Sequence, residues 1–305
     1  MILAAGFGTR LRPLTLELPK PLVWVGERPA IAVIASRLVA AGVREIVLNA
    51  HHHAEAFSAE ILARVPGEIS VVVEAEILGT GGGVANAAPL LGDGDVVVWN
   101  GDILAPFDAS ALLAAHEEGL SRGAGAGTSG GPGATLAITP RARGEGTVGV
   151  GEGGCVVRLR GERFGEELAG GDYLGIAALG PGLRGTLKAP GCLVGDGYLP
   201  WLRSGGRLGS FAADVAWDDI GSIEAYLRAN MRWLAGAGGG AHVGEGARIE
   251  EGVDVTGSVI GDGAIVRGRG LLERCVVWPG ATATAPLADA VVTTAGRVVK
   301  ASGGG

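Results

Sequence analysis

The sequence predicts an α/β fold built on a Rossmann-like, mostly parallel sheet with helices on both faces. Three observations lead there. Short apolar runs alternate with helical patterns from residue 1 to about 115, a glycine-rich turn follows the first run, and beyond residue 241 the texture changes to aliphatics spaced six apart. The elements read in order as strand MILAA, helix AIAVIASRLVAAG, strand EIVLNA, helix AEAFSAEILARV, strand ISVVVEA, helix GGGVANAAPLL, strand DVVVWNGD and helix ASALLAAHEEG. Nearly unbroken apolar strands suit a sheet covered on both sides. Such sheets bind ligands beyond the carboxyl ends of their strands, where the glycine turn after MILAA and Asp102 after DVVVW both fall.

The stretch GLSRGAGAGTSGGPGA, residues 119–134, is too glycine-rich to pack and is expected to be a mobile loop. Strands resume with TLAIT, TVGVG, CVVRLR and DYLGIAAL, and helices follow around GDGYLPWLRSGG and in SIEAYLRANMRWLA. A second glycine run near 235–241 reads as a linker between a domain over 1–235 and another over 241–305. In the second, Val243, Ile249 and Val255, then Val259, Ile265 and Leu271, recur at six-residue intervals, the signature of a parallel β-helix. Its last coil carries little charge, so its apolar end is expected to seek a partner and make the protein a homo-oligomer.

With 305 residues, 47% of them hydrophobic, the chain can bury a sizeable core. The net charge of −7 argues against nucleic acid or an acidic membrane surface as the main partner, so any anion must be met by a local cluster. Cys155, Cys192 and Cys275 are too scattered for a disulfide framework or a metal knuckle, no run approaches a membrane span, and a cytoplasmic location is expected. With 57 glycines in the chain, a lone GxG carries little weight.

The opening MILAAGFGTRLRPLTLELPKPL is more specific. Backbone amides of a glycine turn between strand and helix make a concavity for anions, and the glycines let phosphate approach the backbone. Arg10 adds a forked charge and Lys20 a point charge, on a segment stiffened by Pro13, Pro19 and Pro21. That combination suits a triphosphate.

The pattern LAAGFGTRLRPLTLELPKPL resembles the amino-terminal signature of the sugar-1-phosphate nucleotidyltransferases, the NDP-sugar pyrophosphorylases. EAEILGTGGG at 74–83 is similar to the family's base-recognition segment, WNGD at 99–102 to its metal-binding strand end, and WDDIGSIEAYLRAN at 217–230 to its second metal motif. The hexapeptides resemble the left-handed β-helix appended to many members. The resemblance implies a magnesium-dependent reaction in which a sugar 1-phosphate attacks the α-phosphorus of a nucleoside triphosphate and pyrophosphate leaves. The nucleophile is already an anion, so positioning and charge neutralisation matter more than a general base.

By the same resemblance, Leu3, Ala5, Gly6, Gly8, Thr9 and Arg10, with Glu74, Gly79 and Thr80, bind the nucleotide. Arg10 holds the β- and γ-phosphates, Lys20 the α-phosphate and the sugar phosphate, and Asp102 and Asp219 hold Mg²⁺. A carboxylate at Glu74 suits guanine, and equally uracil or thymine. Many members carry Glu-Lys-Pro after the strand matching CVVRLR and Asn-Ala-Gly where DYLGI stands; this chain offers Arg160 or Arg163 instead, with Gly175 in the sugar pocket. GTP with mannose 1-phosphate is the first choice, and UTP with an amino-sugar or muramic-acid-type phosphate the second. A catalytically silent NDP-sugar-binding regulatory subunit is the rival class, disfavoured because Arg10, Lys20, Asp102 and Asp219 are all present.

Other features have plainer readings. Taken alone, each Asp is a helix cap or a turn acid. Consecutive His51, His52 and His53 point different ways and read as a solvated loop, His242 beside the glycine run as a surface position, and Trp99 and Trp217 as packing residues.

Overall fold

The computed structural model describes residues 1–125 and 131–301, which fall into two compact units. The first comprises Met1–Gly6, Ile34–Ala54 and Pro66–Trp217; the second comprises Phe7–Val33, Glu55–Val65 and Asp218–Gly305. No helix among the described residues is long and apolar enough to cross a membrane.

The first unit is built on the predicted sheet. Strand Ile2–Leu3 pairs in parallel with Glu45–Ala50 on one side and Val96–Asn100 on the other, and Glu68–Val73 continues in parallel beyond Glu45–Ala50. Antiparallel pairing begins at Ala169–Leu179, which bonds to Val96–Asn100, Ala134–Arg141 and Val148–Val150; Leu208–Ala212 then runs parallel to Ala134–Arg141. Core side chains include Val98, Leu136, Ile138, Ala177 and Tyr198. Trp99, fully buried, packs edge-on against Phe107 and satisfies its indole N–H on the Ile103 carbonyl at 2.8 Å.

One expectation is corrected here. The helix Ala109–Gly125 takes in residues 119–125 of the stretch expected to be a loop, while 126–130 lie outside the described residues. Glycine serves close packing there: a Cβ on Gly119 would stand 3.0 Å from Pro132 Cγ, and one on Gly131 would strike Leu120.

In the second unit, helix Ile223–Gly236 is capped by Ser222, whose Oγ accepts from the Ala225 amide. After it, parallel strands stack with partners 17 residues on: Val243 with Ile260, Ile249 with Val266, Val255 with Leu272. The repeating row is therefore Val243, Ile249, Val255, Ile260, Val266 and Leu272. The six-residue spacing predicts the second half one residue earlier, at Val259, Ile265 and Leu271. In a strand a one-residue slip moves a side chain to the other face, and Leu271 is accordingly exposed while Val266 and Leu272 are fully buried.

The open end also differs from expectation. The last coil is covered by Val298–Lys300, paired antiparallel with Ala290–Val292, whereas Val243 and Ile249 of the first coil are exposed at 47% and 37%. The glycine run at 235–241 lies inside this unit, and polar contacts bridge it. Trp278 donates to the Tyr226 hydroxyl at 3.0 Å, and the Tyr226 hydroxyl donates to the Trp24 carbonyl. Glu17 accepts from the Thr293 hydroxyl, the Ala295 amide and Arg297.

Candidate active site

Each unit carries part of the predicted residue set. In the first, strand Ile2–Leu3 lies where the strand order reverses, the crevice position of an open α/β sheet. Leu3 is half-buried, Ala5 buried and Gly6 exposed. A Cβ built on Gly6 meets no described atom within 4 Å, so this stretch of backbone is open to approach. The half-buried Asp102 lies two residues beyond the end of Val96–Asn100, and the Gly101 amide between them donates to the Leu3 carbonyl at 2.9 Å.

The GTGGG segment is a different kind of glycine structure. It forms the start of helix Gly79–Asn86, and the Gly81 and Gly82 amides both donate to the Gly191 carbonyl, at 2.9 and 3.0 Å. Gly79 has φ +77°, and a Cβ there would sit 2.5 Å from that carbonyl oxygen. The Leu193 amide donates to the Thr80 hydroxyl at 2.8 Å. Gly79 and Thr80 remain exposed, but Glu74 is only 3% exposed, with Oε1 accepting from Asn49 Nδ2 at 2.8 Å and Oε2 from the Leu78 amide at 3.1 Å.

The two candidate sugar-phosphate arginines part company. Arg160, at φ +48°, places Nη2 3.4 Å from Cys192 Sγ, in the turn that leads to Leu193 and hence to Thr80. Burial alone pushes the Cys192 thiol up, but amides of Gly195 and Val194 and the nearby Arg160 outweigh it and leave the thiol lowered. Arg163 sits exposed on the edge strand Glu162–Arg163, where its charge helps to hold the Glu167 carboxyl down, at about 2, behind the larger effect of Arg158. Gly175, φ +74°, is fixed by Asn100, whose amide a Cβ would strike.

In the second unit the basic residues of the opening stretch converge on one acid. Arg10 Nη2 lies 3.4 Å from Asp219 Oδ2, and Lys20 Nζ lies 3.3 Å from Asp219 Oδ1. The Arg10 side chain is 71% exposed and that of Lys20 only 9%. Gly8 explains the crowding that follows it: at φ +59° its Cβ would stand 2.8 Å from Thr15 Cγ2 and 3.1 Å from Lys20 Cβ, and Thr15 Oγ1 donates to its carbonyl at 3.0 Å. The loop folds back on itself and delivers Lys20 to Asp219. Thr9 stays exposed in the single turn Thr9–Leu11.

The adjacent aspartates divide their work. Asp218, buried, is held by Arg228 at 3.1 Å and Arg232 at 3.2 Å, one helical turn apart, while Asp219 turns to Arg10 and Lys20, as successive residues of an extended segment must. Gly221 leaves room for this pair, since its Cβ would lie 2.8 Å from both Arg10 Nη2 and Asp219 Oδ1. Asn49, Thr15, Asp218 and Gly221 were not singled out in the sequence. The available signal was Asn49, a polar residue inside the apolar run EIVLNA.

A glycine loop closes the first strand at the switch point of an α/β sheet, and the segment that follows it in sequence gathers two cations and a carboxylate, an arrangement suited to anionic phosphates. Residues 1–132 match the nucleotidyl transferase family model. A mannose-1-phosphate guanyltransferase of Aspergillus fumigatus is 31% identical over 248 residues, 77% of this chain and 64% of that protein. An N-acetylmuramate alpha-1-phosphate uridylyltransferase of Caulobacter vibrioides is 44% identical over 107 residues, 33% of this chain and 44% of that protein. The chain spans about a third to two thirds of the length of the curated relatives it matches. HddC from Yersinia pseudotuberculosis, solved as a complex with GMP-PN, shares the fold with a TM-score of 0.60 at 22% identity, covering 76% of this chain and 97% of that one. Residues 1–132 thus carry a nucleotidyl transferase domain, and the similarity to the guanyltransferase extends over 77% of the chain.

Proposed function

We propose that the protein joins a nucleoside triphosphate to a sugar 1-phosphate, releasing pyrophosphate and forming an NDP-sugar. The observation that carries the reading is the convergence of Arg10 and Lys20 on Asp219 directly behind the glycine turn. Two cations 3.3–3.4 Å from a 36%-exposed carboxylate concentrate positive charge where incoming phosphates can compete for it. Arg10, the more exposed, neutralises the leaving pyrophosphate, and Lys20, braced by the Gly8–Thr15 fold, meets the α-phosphate and the sugar phosphate. Gly6 lets phosphate approach open backbone, and Gly79 and Thr80 offer an exposed turn to the base. Of the two arginines proposed for the sugar phosphate, Arg160 is favoured by its place beside the Thr80 turn.

The donor set fits Mg²⁺. Asp102 and Asp219 are hard oxygen donors, and no group of three or more His, Cys, Asp or Glu gathers among the described residues, which suits an ion held by one or two carboxylates with phosphates and water. When bound, the ion supplies further charge neutralisation at the phosphates. Pairing the two aspartates rests on the WNGD and WDDIG motifs.

GTP and mannose 1-phosphate are the proposed substrates, supported by the Aspergillus fumigatus relative; the Caulobacter vibrioides relative favours UTP with a muramic-acid-type phosphate as the second reading. Pyrophosphate release across a panel of triphosphates and sugar phosphates tests both. Release greatest with GTP and mannose 1-phosphate supports the first, and no release with any pair overturns the transferase reading. Self-association through residues 241–305 belongs to the same proposal, with exposed Val243 and Ile249 as its support and light scattering of Val243→Asp as its test.

A further inference from the structure

Glu74 occupies a position expected to touch the base, yet its carboxylate is committed elsewhere. Strands Glu45–Ala50 and Glu68–Val73 lie side by side in parallel, and the Glu74 amide extends the pairing by donating to the Ala50 carbonyl at 2.7 Å. This register brings Asn49 and Glu74 together, each 3% exposed. Asn49 Oδ1 accepts from the Ala4 amide at 2.8 Å, Asn49 Nδ2 donates to Glu74 Oε1 at 2.8 Å, and Glu74 Oε2 accepts from the Leu78 amide at 3.1 Å. The chain of bonds runs from the end of the first strand, two residues before Gly6, to the residue just before Gly79.

Its polarity is fully determined. The Ala4 amide needs an acceptor and the buried carboxylate needs a donor, and the planar amide of Asn49 offers one of each. The helix start closes over the pair, because a Cβ on Gly83 would stand 2.6 Å from Asn49 Nδ2 and 3.1 Å from Glu74 Oε1. Held by a donor on each oxygen and only 3% exposed, the carboxylate presents almost no surface to a base edge.

We infer that Asn49 and Glu74 are positioning residues: they lock the Gly79–Thr80 turn to the phosphate-side strand end at Ala4, and the base is read by that turn rather than by the Glu74 carboxylate. The inference rests on the nucleotide assignment proposed above for Gly6, Gly79 and Thr80.

The geometry supplies its own rescue experiment. In Glu74→Gln, the new amide confronts the Asn49 amide donor to donor, and in Asn49→Asp two buried carboxylates face each other. In the double variant, the carboxylate introduced at position 49 accepts from both the Ala4 amide and the side-chain amide introduced at position 74. The carbonyl of that side-chain amide accepts in turn from the Leu78 amide, so every bond is restored with the charge moved across. Thermal unfolding and triphosphate KM and kcat are measured for all four proteins, with GTP, UTP, ATP and TTP. Each single variant is expected to lower Tm and to raise triphosphate KM about tenfold with the ranking of bases unchanged, and the double variant to recover both. A changed base ranking in Glu74→Gln that persists in the double variant overturns the inference, as does a double variant no better than the worse single. Since unfolding requires no substrate, wild-type protein that releases no pyrophosphate refutes the transferase reading while the Tm cycle still judges the brace.

Discussion

Two glycine-rich stretches, AGFG at 5–8 and GTGGG at 79–83, look alike as letters and serve opposite ends. Around the first, Gly6 meets no described atom while Gly8 sits in the left-handed region against Thr15 and Lys20, so one glycine leaves the backbone open and the next bends the chain back to deliver a cation. In the second, Gly79, Gly81, Gly82 and Gly83 all lie against protein atoms: the 189–193 backbone for three of them and the Asn49–Glu74 pair for the fourth. Glycine there closes distance between segments of the protein itself. A glycine motif is thus informative only once what a Cβ would meet is known.

The largest effect expected on this comparison is at the charged cluster that the first stretch feeds. Asp219→Asn removes a carboxylate partner of both Arg10 and Lys20 and one proposed Mg²⁺ ligand, and should lower turnover about a hundredfold or more with a smaller loss of Tm than Asp218→Asn, since Asp219 is 36% exposed and Asp218 3%. Asp218→Asn separates the neighbours: it leaves Arg228 and Arg232 facing a neutral group and should appear first as lost stability. Equal turnover in Asp219→Asn and wild type would remove the first stretch from the chemistry.

Next come the glycines themselves. Gly83→Ala gains about 1 kcal/mol of helix propensity but forces a methyl against Asn49 and Glu74 at a cost of about 1–3 kcal/mol, so net destabilisation is expected. Gly6→Ala touches nothing described and should leave stability within about 0.5 kcal/mol while raising triphosphate KM. Melting curves beside triphosphate titrations read both. A destabilised Gly6→Ala with normal KM, or a stable Gly83→Ala, would collapse the distinction between the two stretches.

What the sequence made legible follows from the range of the forces involved. The parallel strands declared themselves as apolar runs, and Arg10, Lys20 and Asp219 stood out through motifs that fix local chain direction. The Asn49–Glu74 bond depends on the register of two strands 25 residues apart, which no local pattern encodes. Register likewise misplaced Val259, Ile265 and Leu271, because VI, IV and LL pairs give two adjacent candidates for one inward position and only the stacking partner chooses between them. Composition predicts a loop over 119–125, whereas the chain is helical there and Gly119 and Gly131 permit the close contacts of Pro132 and Leu120.

The smallest expected effect sharpens the comparison at its margin, beside GTGGG, at the two arginines proposed for the sugar phosphate. Arg160 stands beside Cys192, in the turn whose Leu193 amide holds Thr80, while Arg163 lies exposed on an edge strand in the field of Glu167. Charge alone does not separate them, since both are exposed guanidinium groups within a few residues of each other. Placement does: Arg160 borders the segment that fixes the Gly79–Thr80 turn, and Arg163 borders the Arg158–Glu167 pair. Arg160→Ala should therefore raise sugar-phosphate KM about fivefold, the scale of one partly solvated charge contact, and Arg163→Ala should stay within about twofold. Initial rates at saturating triphosphate, with the sugar phosphate varied, decide between them. The reverse ranking would assign the sugar phosphate to the edge hairpin and confine the role of GTGGG to the nucleotide.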